Sequence, residues 1–182
     1  MKTLKPSLSL LAVLVIGTLA GCSSSSTIAA DVSGDMRRSL EQAGLKNVSV
    51  HEDLGKGVVT LGGHVAADPE KSQAESIAKA MAGAQVVSDQ IAVIPPGNEH
   101  DAKKMMSDLD KGIEGNLDAA LIQGGLHADI SYAVKNQVVT MTGAVDSQAR
   151  RVQAQEIAGS VPNVQQVVNE LQVKEQKATS SN

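Results

Sequence analysis

Apolar and polar positions along the chain fall into two matching series. Val58-Val59-Thr60-Leu61-Gly62-Gly63-His64-Val65 returns eighty residues later as Val138-Val139-Thr140-Met141-Thr142-Gly143-Ala144-Val145. Such alternation sends Val59, Leu61 and Val65 to one side of a strand and Thr60, Gly62 and His64 to the other. The correspondence continues without a gap. Ala74, Ile77, Ala78 and Met81 meet Ala154, Ile157, Ala158 and Val161 at helical spacing, and Ile91 and Val93 meet Leu171 and Val173. A repeat at fixed distance marks a tandem duplication, here of about sixty residues per copy.

Each copy predicts the same elements. A first helix carries Met36, Leu40 and Ala43, or Ile113, Leu117, Ala120 and Leu121, on one face, and Gly44 or Gly124-Gly125 stops it. Strand one covers Val48–Val50 in the first copy and runs from Ala128 through Ile130 and Tyr132 to Val134 in the second. Residues 54–57 and Lys135-Asn136 read as hairpin turns into the quoted strand. Gly63 and Gly143 inside that strand signal a bulge or a close backbone neighbour. Asp68 as N-cap, Pro69 at the first helical position and Glu70 open the next helix; its second copy starts at Asp146 or Ser147 and ends near Pro162-Asn163. A last strand covers Val86 to Ile94, or Gln165 to Lys174. The fold class is α+β: two tandem αββαβ sandwiches, at 34–94 and 113–174, each with two helices on a three-stranded sheet. Whether the last strand joins the first or the second is left open. Residues 95–112 form a linker that breaks at Pro95-Pro96-Gly97. Met106 and Leu109 then extend the helical pattern backwards from Ile113, against the cost of Gly112 and Gly115, about 1 kcal/mol each relative to alanine. Domains this small are marginal alone, which predicts contact between them.

The amino-terminal pattern differs. Lys2 and Lys5 precede an apolar run from Leu8 to Ala20, then Gly21 and Cys22. This is the layout of a secretory leader, and the run is short for a membrane span of about 20 residues. Leu19-Ala20-Gly21-Cys22 resembles the lipobox of bacterial lipoproteins, which implies cleavage after residue 21 and acyl chains on Cys22. Two or more chains anchor a protein stably. Ser23, where an Asp favours retention at the inner membrane, implies the outer membrane, facing the periplasm. Residues 22–33 read as a tether and 175–182 as a disordered tail.

Charge and composition remove several function classes. Lys plus Arg number 16 against 20 Asp plus Glu; without Lys2 and Lys5 the balance is 14 − 20 = −6. Phe and Trp are absent and Tyr132 is the sole aromatic, so neither a basic field nor a base-stacking platform serves nucleic acid. His51, His64, His100 and His127 lack metal-ligand spacing, and no nucleophile stands beside a base. Gly55-Lys56-Gly57 lacks the rest of a phosphate loop. These patterns predict a non-enzymatic protein with no cofactor and no metal. One local feature invites a ligand: Arg150-Arg151 falls in the first turn of a helix, where the dipole disfavours cations, and no acid follows until Glu156. It reads either as a solvated face or as a contact for phospholipid headgroups. Tyr132 reads as a core-edge residue or as a membrane-interface one.

The element order, the two strand stretches, and the endings MAGAQVVSDQIAV (81–93) and VPNVQQVVNELQV (161–173) resemble BON domains. The resemblance covers residues 35–94 and 113–174. The family's glycine–valine step before the last strand appears as Gly83-Ala84 and Asn163-Val164, a departure in each copy. The resemblance implies an exported, stress-linked protein supporting envelope integrity, with phospholipid as a partner. The alternative is a protein-binding scaffold or chaperone-like adaptor that holds envelope proteins.

Overall fold

A computed structural model describes residues 32–174. Domain 1 runs α1 (Ser33–Gln42), β1 (Val48–Asp53), β2 (Val58–Val65), α2 (Asp68–Met81), β3 (Val86–Asp89) and β4 (Ala92–Val93). Domain 2 repeats the order with α3 (Glu99–Gln123), β5 (Ile130–Lys135), β6 (Val138–Val145), α4 (Gln148–Ser160), β7 (Gln166–Asn169) and β8 (Gln172–Val173).

The repeated strand is central in both sheets. β1 lies antiparallel to β2, and β3 joins β2 on its other side in parallel; β5, β6 and β7 do the same. The question of where the last strand docks is thus settled: beside strand two. That last strand is broken, so each sheet counts four strands rather than three. The register is continuous across the break, Val58 facing Val86 and His64 facing Ala92. A side chain makes the break. Asp89 Oδ1 accepts a hydrogen bond from the Ile91 N–H at 3.1 Å, and Asn169 Oδ1 does so from Leu171 at 3.2 Å. Both turn the backbone locally as Asx residues do.

Helices cover one face of each sheet. Met36, Leu40, Val59, Leu61 and Ile91 are buried in domain 1, and Leu117, Leu121, Val139, Met141 and Leu171 in domain 2. Ala74, Ala78, Ala154 and Ala158 are fully buried, and their small side chains let α2 and α4 sit close to the sheets. Glycines finish the helices as expected: Gly44 and Gly125 follow α1 and α3 with φ of +86° and +65°. Gly63 and Gly143 resolve to close approach. A Cβ there would stand 1.9 Å from Asn47 O and 2.3 Å from Asp129 O.

Three local expectations are corrected. Ala128 belongs to a 3-10 turn (His127–Asp129), and β5 starts at Ile130. Asp68 is the first helical residue, with Ala67 as N-cap. The second hairpin turns at Asn136-Gln137, both with positive φ, one residue later than Lys135-Asn136. The helix extension is realised: α3 is one 25-residue helix through both glycines. Its Asp110 anchors it to the hairpin, accepting from the Asn136 and Gln137 N–H groups at 2.8 and 2.9 Å.

The two domains meet through equivalent surfaces. A shift of eighty residues turns Lys56 into Asn136 and Gln90 into Glu170. Lys56 Nζ lies 2.7 Å from Glu170 Oε2, and Asn136 Nδ2 donates to Gln90 O at 2.7 Å. Between them Val58, its counterpart Val138 and Val168 form a small shared core. This is the self-complementary geometry of an isologous dimer, formed inside one chain.

Candidate functional site

The residues singled out by sequence lie mainly in domain 2, and the fold sends them to different partners. Ser147 caps α4, its Oγ accepting from the Arg150 N–H at 3.3 Å. From this first turn the two arginines diverge. Arg150 Nη1 donates to Gly125 O at 3.2 Å and lies 3.9 Å from Asp129 Oδ2, which ties α4 to the loop after α3. Its side chain keeps 41% of its exposure. Arg151 turns inward. Its Nη2 donates to Asn169 O at 3.1 Å, and Asn169 Nδ2 returns a bond to Arg151 O at 3.1 Å. The Arg151 Nε is buried without a protein partner. Arg150 therefore presents the more accessible charge, while Arg151 braces the broken strand.

Tyr132, on β5, is half-buried against α3. Its hydroxyl donates to Asp118 Oδ1 at 2.8 Å, and His127 Nε2 lies 2.8 Å from the same oxygen. Burial first, then the Asp118 carboxylate, push the phenol up to about 12. Below the loop, Lys174 Nζ lies 3.0 Å from Asp146 and 3.4 Å from Asp129; these carboxylates raise the ammonium's pKa. Cys22 lies outside the described residues. Among the described residues no group of three or more His, Cys, Asp and Glu is placed to hold a metal ion, and no helix is long and apolar enough to cross a membrane.

Around Arg150 the helix layer of domain 2 differs from that of domain 1. The exposed flanks of α1 and α2 carry ion pairs, Arg38 with Asp35 and Lys79 with Glu75. Eighty residues on, these positions are Gly115, Asp118, Gln155 and Gly159, which form neither pair, and α3 and α4 also expose Ala119, Ile122, Ala149, Val152 and Gln153. Ile122 is 57% exposed and Val152 45%. The arginines are legible in the sequence, but the exposed pair Ile122 and Val152 is not, because they belong to two helices that the fold brings onto one layer.

Residues 24–95 and 109–175 match the family described as BON domain, and the chain belongs to that family. It is 30% identical over 138 residues to Osmotically-inducible protein Y of Escherichia coli (strain K12), a match covering 71% of this chain. The chain spans 64% of that relative's length. Among solved structures it is similar to the C-terminal domain of CdsD, the structural protein of the Type III secretion system of Chlamydia trachomatis, at 13% identity and a TM-score of 0.35. That match covers 80% of this chain and 98% of the other. A second CdsD structure matches at 15% identity and a TM-score of 0.34, with coverages of 79% and 92%.

Proposed function

We propose that this is a non-enzymatic lipoprotein of the cell envelope, tethered through Cys22 to the periplasmic face of the outer membrane, whose second domain rests its helix layer on phospholipid. The observation carrying this reading is the divergence between the copies: α3 and α4 expose Ile122 and Val152 where the first copy carries Gln42 and Ser72, and Arg150 lies in the first turn of α4. Apolar side chains entering the headgroup region with a cation at their edge suit an anionic surface. Membership in the BON family and similarity to an osmotically inducible protein support a role in the envelope under osmotic stress. Vesicle flotation of the chain from Ser23 to Asn182 tests the membrane contact. Anionic vesicles are expected to carry the protein, neutral ones to carry little, and salt to weaken the binding. Arg150→Glu and the pair Ile122→Asp/Val152→Asp are each expected to abolish it. No flotation on anionic vesicles overturns the lipid contact and leaves Cys22 as the membrane attachment.

A scaffold role has one observation in its favour. Among the described residues β5 pairs with β6 alone, which leaves its outer edge to accept an added strand. The equivalent edge in domain 1 is partly closed, since Arg37 Nη2 donates to Val50 O at 3.3 Å. Strand addition would be insensitive to salt, which separates it from headgroup binding.

A further inference from the structure

Three elements distant in sequence line an open groove of about 540 Å³ at the junction of the domains. Its floor is apolar, made by Ala92 and Ile94 from the helix-free face of domain 1 and by Met106 from α3. Its rim carries Lys103 and Lys111 from α3 and Lys135 from the β5–β6 hairpin. A smaller hollow of about 140 Å³ shares Ala92 and Met106 and lengthens the cleft towards Asp68 and Lys71.

Two features make this more than a seam between domains. The first is charge. Asp110 lines the cleft, but both its oxygens are committed to the backbone N–H groups of Asn136 and Gln137. With Glu114 this makes two carboxylates against three lysines, a local cationic excess in a chain whose overall balance is acidic. The nearest acid to Lys111, Asp108, is 3.9 Å away on an exposed flank. The second is divergence between the copies. Ala92 and Ile94 correspond to Gln172 and Lys174, both exposed, so the same face of domain 2 has no apolar floor. An apolar bed under a cationic rim arises where the first sheet, α3 and the hairpin converge.

We propose that the cleft binds a single-chain anionic amphiphile, with a carboxylate or phosphate head at Lys111 and Lys135 and a short apolar tail along Ala92, Ile94 and Met106. The volume falls in the roughly 300–1,000 Å³ range of small-molecule sites. An apolar tail gains from the buried floor, and the ammonium groups supply charge-assisted hydrogen bonds to the head. The cleft shares α3 with the helix layer of domain 2, but Ile122, Arg150 and Val152 do not line it, so its occupancy and vesicle binding can be read independently.

The test is an NMR titration of the chain from residue 22 onward, with Cys22→Ser, using sodium octanoate and octyl phosphate. Acetate and octanol serve as the head alone and the tail alone. Shifts are expected to concentrate at Ala92, Ile94 and Met106, with acetate and octanol far weaker than either full probe. Lys111→Gln/Lys135→Gln is expected to weaken binding about tenfold, while Lys104→Gln, on the outer side of the same helix, leaves it unchanged. The relative affinity of the two full probes assigns the head as carboxylate or phosphate. Absence of shifts in the cleft with both full probes, octanol binding as tightly as octanoate, or unchanged binding by the double variant would each overturn the proposal.

Discussion

Gln166 closes the edge of the neighbouring domain's sheet: its side-chain oxygen accepts from the Asp89 N–H at 2.9 Å, and its nitrogen donates to Val87 O at 2.6 Å. One amide thereby serves two backbone groups of β3 that an added strand would otherwise satisfy. Replacing Gln166 with Ala is expected to destabilise the protein by about 1–3 kcal/mol, because partly buried backbone groups lose their partners. Urea unfolding measures the loss, and faster hydrogen exchange at Asp89 locates it. Val86→Ala, at the equivalent position of domain 1, where the side chain is 48% exposed, is expected to stay within about 0.5 kcal/mol.

Glycines in this chain have opposite expected responses to alanine. At Gly63 (φ +87°) and Gly143 (φ +129°) a Cβ would overlap a backbone carbonyl. Either substitution is expected to cost about 3 kcal/mol or more in thermal or chemical unfolding, since backbone must shift. At Gly112, in the interior of α3, a Cβ meets nothing within 4 Å. There Gly112→Ala is expected to stabilise by about 1 kcal/mol.

Asp89 gives the protein a specific pH dependence. Burial raises its pKa above the ordinary 3.8, with the Ile91 N–H and the Lys71 charge pulling the other way. In the window above 3.8 the folded state therefore holds a proton that the unfolded state has released. Stability falls as pH rises through that window, and the loss persists at neutral pH. Asn169 makes the same turn in domain 2 without the charge. Asp89→Asn is expected to be the more stable protein at pH 7, with the difference vanishing below about pH 3, where both forms are neutral. Denaturation curves at the two pH values decide this.

Tyr132 is the chain's single tyrosine, so its ionisation can be followed by ultraviolet absorbance without assignment. The midpoint in the folded protein is expected near 12, from burial and the Asp118 carboxylate. Asp118→Asn removes the carboxylate and is expected to lower the midpoint. An unchanged midpoint would detach Tyr132 from Asp118.

Much of the fold was legible because the core is periodic. Leu61, Ala74, Ala78 and Ile91, with their counterparts Met141, Ala154, Ala158 and Leu171, announced the strand, the helix and the last strand twice over. Gly63 and Gly143 disclosed a close backbone, though not that Asn47 and Asp129 supply it. The break at Asp89 and Asn169 leaves no trace in the pattern, because a side chain replacing one backbone bond keeps the apolar period intact. The candidate site was less legible. Arg150 and Arg151 are adjacent in sequence, but one α-helical step separates their directions by about 100°. One reaches the loop at Gly125 and the other Asn169. The contacts between domains carry no periodic signal, since Lys56, Gln90, Asn136 and Glu170 sit at turns and strand breaks.

The pairing of Lys56 with Glu170 and of Asn136 with Gln90 implies that this protein carries its own dimer partner. Separate copies would have to find each other by diffusion, and the paired fraction would rise and fall with abundance. Joined through residues 95–98, each copy sees the other at an effective concentration on the order of millimolar. The paired form is then independent of dosage: a cell can make few or many of these chains, and each has the same shape from the moment it folds.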